Sequence, residues 1–166
     1  MSTQATIVWP EPFRSNDFPV LARNELDMQA TLERVWVWLV RAPLWPTWYK
    51  HSADLKILEG PTPDLTKRTR FHWKTLGLPI TSTVLDEVRH ERIAWDAHVI
   101  GFHACHAWRL RPSEKGCYVL SEEKQYGFLA RLNKLLRPQI TRKIHQIWLE
   151  SLEGQARLGL PPMPGS

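Results

Sequence analysis

Apolar and polar residues alternate along most of the chain, and the period changes near its end. Val20 to Met28 alternates and predicts a first strand. Ala30 to Arg41 carries Leu32, Val35, Trp36, Leu39 and Val40 at helical spacing, and Pro43 ends that helix. Leu44 to Tyr49 is too broken by Pro46 for a long helix. It predicts a single aromatic turn that plugs one end of a sheet. Strands then dominate. Ala53 to Glu59 is closed by the turn Gly60-Pro61-Thr62-Pro63-Asp64. In Thr66 to Thr75, residues Thr69, Phe71, Trp73 and Thr75 alternate with Arg68, Arg70, His72 and Lys74, which means one dry face and one wet face. Ile80 to Val88 puts Ile80, Ser82, Val84 and Val88 on the inward parity. Arg92 to Val99 does the same for Ile93, Trp95, Ala97 and Val99, and Phe102 to Arg111 for Phe102, Ala104, His106, Trp108 and Leu110. Cys117 to Tyr126 is the last strand.

After Gly127 the period becomes helical. Phe128 to about Gln155 brings Leu129, Leu132, Leu136, Ile140, Ile144, Ile147, Trp148 and Leu152 to one face, with Pro138 expected to kink or interrupt the helix. Consecutive strands joined by short turns demand antiparallel pairing. Seven strands and one long amphipathic helix satisfy each other if the sheet curls around the helix. The expected class is therefore α+β: a curved seven-stranded antiparallel sheet around a long C-terminal helix, with two short helices between strands 1 and 2. Residues 1–19, with Pro10, Pro12 and Pro19, predict a partly disordered arm whose stretch Ala5 to Trp9 can dock as an edge strand or against a partner. Residues 20–156 form the domain, and 157–166 a flexible tail.

Composition narrows the classes. A chain of 166 residues with 43% apolar and 23% charged residues is a globular mixture. Two cysteines, Cys105 and Cys117, make no disulfide framework. No secretory leader or membrane span is legible, so a cytoplasmic protein without stable membrane insertion is expected. The net charge of +5 is scattered, with no nucleic-acid signature, so no nucleic-acid partner is expected and a solvated basic surface is the simplest reading. Nine tryptophans, at 9, 36, 38, 45, 48, 73, 95, 108 and 148, point to an aromatic core or an indole-lined cavity.

Several segments carry a resemblance. Trp45-Pro46-Thr47-Trp48 after the first helix, Arg92-Ile93-Ala94-Trp95, Phe71-His72-Trp73-Lys74-Thr75 and Ile80-Thr81-Ser82-Thr83-Val84 resemble the SRPBCC superfamily. So do His106-Ala107-Trp108, Ser121 to Gly127 and His145-Gln146-Ile147-Trp148-Leu149. This is the START-like, helix-grip group of polyketide cyclases/dehydrases, lipid-transfer proteins and the birch pollen allergen class. The resemblance, to its polyketide cyclase/dehydrase and lipid transport-like branch, implies a hydrophobic cavity between sheet and helix. It implies no single reaction.

Inward parity singles out polar residues. Val119 sets the parity of the last strand, so Ser121, Glu123 and Gln125 point inside. If Leu110 pairs with Val119, His106 faces Glu123; a slip of two would bring His106 to Ser121 or Gln125. One reading is a catalytic acid/base dyad, His106 and Glu123, for cyclisation, dehydration or hydrolysis. The other is a structural pair. His145 is read as an edge histidine beside the sheet, or as one that looks into the cavity or caps its rim. Expected ligand contacts are Phe71, Trp73, Ser82, Val84, Trp95, Phe102, Trp108, Ser121, Gln125, Ile144 and Trp148, with Thr69, Thr75 and Ile140 beside them. No metal site follows from His98, His103, Cys105 and His106, because strand neighbours split between faces. No cofactor is expected. The expected partner is a small hydrophobic molecule such as a lipid or polyketide-like metabolite, bound by a monomer or homodimer.

Overall fold

A computed structural model describes residues 6–18, 20–136 and 139–163, with backbone only at 133 and 136. Seven strands form one antiparallel sheet: β1 (Val20–Met28), β2 (Ser52–Glu59), β3 (Arg70–Thr75), β4 (Leu78–Val88), β5 (Arg92–Val99), β6 (Phe102–Pro112) and β7 (Cys117–Tyr126). Their order is β1-β7-β6-β5-β4-β3-β2. Every neighbour but the β1–β7 pair is joined by a short connection, which is why the sheet is antiparallel throughout. The sheet curves around the C-terminal helix, the helix-grip architecture expected above.

Between β1 and β2 lie α1 (Leu32–Val40), a turn of 3-10 helix (Ala42–Leu44) and the short α2 (Trp45–Trp48). Thr31 starts α1 by accepting a hydrogen bond from the Arg34 amide, a side-chain N-cap. Pro43 and Pro46 are the second residues of the next two turns, where no amide donor is needed. Trp45 is fully buried and donates its indole N–H to the Leu39 carbonyl at 3.0 Å. It contacts Phe71, Trp73, Trp95 and Trp148 at ring-centroid distances of 5.2–5.9 Å. The expected aromatic plug is present and packs solidly against the sheet and the C-terminal helix.

The expected last helix is two. Helix α3 (Phe128–Leu136) and helix α4 (Ile140–Leu158) lie on either side of the Pro138 segment, which is outside the described residues. Helix α4 is tied to β1: Asn24 donates to the Arg142 carbonyl and to Gln146, both at 3.1 Å. The Gln29 amide donates to Glu153 at 2.8 Å. Beyond α4, the Gly159 carbonyl accepts the Trp38 indole N–H at 2.8 Å.

Two strand readings need correction. Strand β3 starts at Arg70 rather than Thr66. Residues 66–69 turn instead, with Arg68 at φ 73° and the Thr69 amide donating to the Thr66 carbonyl. Val88 is not inside: the register slips between Val84 and Asp86, and the bulge turns Val88 outward, where it is 36% exposed. Leu132 also leaves the expected core face and is exposed.

Residues 6–18 lie against the convex face. Phe13 packs with Ala94, Cys105 and Ala107, flanked by Ile7, Trp9, Phe18 and Tyr126. Lys124 is buried there and donates to the carbonyls of Phe13 (2.8 Å) and Ser15 (3.2 Å) beneath the Trp9 ring. A buried ammonium needs such acceptors to offset its lost hydration.

Candidate functional site

The concave face encloses a cavity of about 500 Å³ between β3–β7 and the helices α3 and α4. Its walls are apolar: Trp73, Ile80, Trp95, Ala97, Val99, Phe102 and Ala104 from the sheet, with Leu129, Ile140, Ile144 and Trp148 from the helices. Parity explains the sheet side, since every one of those strand residues is on the inward set read from the sequence. Leu76, Leu78 and Leu129 line the cavity and are also exposed, which locates its mouth.

Polar groups gather on one wall. The β6–β7 register places His106 opposite Glu123, and Leu110 opposite Val119. The side chains nevertheless do not bond to each other. His106 Nε2 shares a 2.7 Å hydrogen bond with Ser121, its diagonal neighbour. Glu123 Oε2 instead accepts from His145 Nε2 on α4, at 3.0 Å, and Glu123 Oε1 accepts from the Gln125 amide. The His106 and His145 rings stack, 4.2 Å apart and 5° from parallel. The expected dyad is thus a three-residue arrangement in which α4 contributes the histidine that holds the carboxylate. Pairwise strand logic had no place for it.

Burial acts strongly here. It pushes the His106 imidazolium well below its ordinary titration range, and the neighbouring His145 pushes in the same direction. His106 is therefore a neutral imidazole at pH 7. Tyr49, above the same wall, has its phenol pushed up by burial first and by the Glu123 charge second, so it stays a hydrogen-bond donor.

Four buried polar atoms of cavity-lining residues have no partner among the described residues: Tyr49 Oη, Gln125 Oε1, His145 Nδ1 and Trp148 Nε1. Buried polar atoms are almost always paired, so these four leave hydrogen-bonding capacity on the cavity wall; Asn24, Trp48, Ser52, His90 and Trp108 carry such atoms elsewhere.

His106, Glu123 and His145 each offer a metal-ligand atom, all within 4.8 Å of one another. The two rings lie parallel, so their in-plane lone pairs run side by side rather than converging as a tetrahedral ion requires. The donor types fit a metal, but the ring geometry does not.

Of the residues expected from the sequence, the cavity brings together His106, Glu123, Trp73, Trp95, Phe102, Gln125, Ile144 and Trp148. Phe71, Val84 and Trp108 belong instead to the packed core around Trp45, Trp95 and Trp148. Ser82 accepts the Trp73 indole N–H at 3.2 Å, and Ser121 orients His106 from behind. Tyr49, Thr141 and His145 complete the polar wall. Tyr49 gave a weak signal, as the last aromatic of the plug. His145 stands three residues before Trp148, on the inward helical face.

No family's sequence profile matches the chain, and no curated protein matches it. Solved structures do. The hypothetical protein jhp0584 from Helicobacter pylori superposes with a TM-score of 0.84 at 24% identity, covering 95% of this chain and 99% of that one. The di-domain ARO/CYC StfQ from the steffimycin biosynthetic pathway gives 0.69 at 14% identity. This chain covers 52% of StfQ, about half its length, and 86% of its own. The KanY protein (ms6282) gives 0.66 at 17%, covering 84% and 98%. At these identities the likeness establishes the fold, which is consistent with the helix-grip group, and nothing finer.

Proposed function

We propose that the protein binds a small, largely apolar or aromatic ligand, lipid- or polyketide-like, that carries at least one polar oxygen. The observation that carries this is the cavity itself: indole and aliphatic walls, with unpartnered buried polar atoms on one side. Its volume of about 500 Å³ is within the ordinary range for small-molecule sites. Tyr49 and Trp148 would orient the polar end by donating to it, while Trp73, Trp95 and Phe102 hold the apolar body. StfQ, of similar fold, is a di-domain ARO/CYC from the steffimycin biosynthetic pathway, which favours a ligand of this class.

A second reading has its own support. His145 is held by Glu123 beside a neutral His106, the arrangement that proton transfer in a dry site requires. On this reading the protein is a cyclase, dehydratase or hydrolase of the same ligand class.

Native mass spectrometry of the protein as purified, with titration of intrinsic tryptophan fluorescence by naphthol and fatty-acid probes, tests the first reading. A co-purifying ligand or saturable quenching is expected. An empty protein that takes up no probe overturns it. Once a ligand is known, full turnover by both Glu123→Gln and His106→Gln eliminates the second reading.

A further inference from the structure

The rim of the cavity mouth is as unusual as its floor. Three separate segments put large apolar side chains into solvent there. The β3–β4 turn gives Leu76 and Leu78, the β5–β6 turn gives Ile100 at 95% exposure, and α3 gives Phe128 at 74% and Leu135 at 79%. These segments are neighbours. Leu76, Leu78 and Leu129 line the same opening, and the Leu129 amide donates to the Gly101 carbonyl at 3.0 Å, next to Ile100. Scattered exposed leucines mean little, but a contiguous rim around an opening marks an interaction surface.

Helix α3 is seated by its first turn, where Ala130 is buried. Gly127 makes that seat possible: its φ is 112°, and a Cβ there would lie 2.5 Å from the Gly101 carbonyl oxygen. Phe128, Leu132 and Leu135 of the same helix are left in solvent.

Charge says what the rim meets. Residues 128–143 contain Arg131, Lys134, Arg137, Arg142 and Lys143 and no acidic residue. That is five positive charges, equal to the net +5 of the whole chain; the other 17 basic residues balance 17 acidic ones. The stretch that carries the exposed apolar helix is thus basic with no compensating acid, and Arg131 and Lys134 lie on α3 itself. An amphipathic helix with basic residues and exposed Phe and Leu is the pattern that lies in the interface of an anionic bilayer. Among the described residues no helix is long and apolar enough to cross one, so the contact is peripheral.

We propose that this rim docks on an anionic lipid surface and opens the cavity toward the acyl region, from which the ligand is taken up or into which it is released. Docking itself does not depend on what fills the cavity. The route for the ligand rests on the binding function proposed above.

Flotation of the full chain with phosphatidylcholine vesicles, with and without a quarter phosphatidylglycerol, tests it. Binding to the anionic vesicles is expected, weakening as salt rises. Arg131→Glu with Lys134→Glu should weaken it at least about tenfold, as should Phe128→Asp with Leu135→Asp. All four positions are outside the cavity lining, and circular dichroism confirms that the variants fold. No binding to either vesicle overturns the proposal. So does equal binding to neutral vesicles that ignores the charge reversals. A concentration-dependent dimer that Phe128→Asp abolishes overturns it too, because the rim is then a self-interface. Probe quenching without lipid is measured on every variant: its absence in a protein that still floats defeats the cavity reading alone.

Discussion

His145 reaches across from α4 to bond Glu123 on β7, Nε2 to Oε2 at 3.0 Å, and ties the helix to the cavity wall. Both partners are largely buried, so each relies on the other for its missing solvation. Replacing either by leucine is expected to cost about 2 kcal/mol or more, and the double replacement less than the sum. Urea unfolding of the four proteins of the cycle measures the coupling. Strict additivity would show that the contact contributes nothing.

Acid should destabilise the fold through His106. In the unfolded chain its imidazole titrates near ~6.5. In the folded chain it does not charge until well below that, because it is buried and because His145 stacks on it. Above about pH 6.5 both states hold it neutral, and the fold loses nothing. As pH falls below that, only the unfolded state takes the proton, and stability falls by at most about 1.4 kcal/mol per pH unit. His106→Gln keeps a partner for Ser121 and should flatten this part of the pH–stability profile. Parallel profiles for the two proteins would contradict the assignment.

Filling the cavity should separate binding from stability. Ala97 lines the empty region, and Ala97→Phe has room that a packed core would deny it. Probe affinity is expected to drop at least about tenfold while stability changes by less than about 1 kcal/mol. A loss of several kcal/mol would mean that the interior is already full.

Both cysteines should be inert in the native state. Cys105 and Cys117 are buried and unbridged. Burial pushes the Cys117 thiol up to about 12, and the Cys105 thiol higher still, with the Asp96 charge adding to burial at Cys105. The thiolate is the reactive form, so alkylation at pH 8 should be slow until denaturant is added, when both label. Fast labelling in buffer would place a thiol at the surface.

Removing Lys124 should loosen the segment that covers the convex face. Lys124→Met deletes the charged donor to the Phe13 and Ser15 carbonyls. A cost of about 1–3 kcal/mol and faster amide exchange in residues 6–18 are expected. Unchanged exchange would assign the seating to Phe13 alone.

Much of this was legible in the pattern. Period-two alternation gave the strands, and the hairpin after Pro112 gave the register that sets His106 opposite Glu123. What the alternation could not supply was anything set by a third element. His145 is joined to Glu123 only because α4 crosses the sheet at a particular height, which no local spacing encodes. Val88 fails because a bulge shifts parity midway through β4. Phe71 and Trp108 have the right parity for the cavity, yet the indole of Trp45 occupies the space that would have been in front of Phe71, and Trp148 packs against Trp108. Parity says which face a residue is on. It does not say whether that face is dry because it is packed or because it is hollow.

Five of the indoles, Trp45, Trp73, Trp95, Trp108 and Trp148, form one continuous cluster, with centroids 5.2–6.1 Å apart between contacting rings. At such separations their excited states couple, and the near-ultraviolet dichroism belongs to the cluster rather than to any one ring. Three of the five also face the cavity. The protein therefore carries its own optical gauge: whatever enters must disturb the signal of the whole aromatic interior, and an unlabelled sample is enough to watch it arrive.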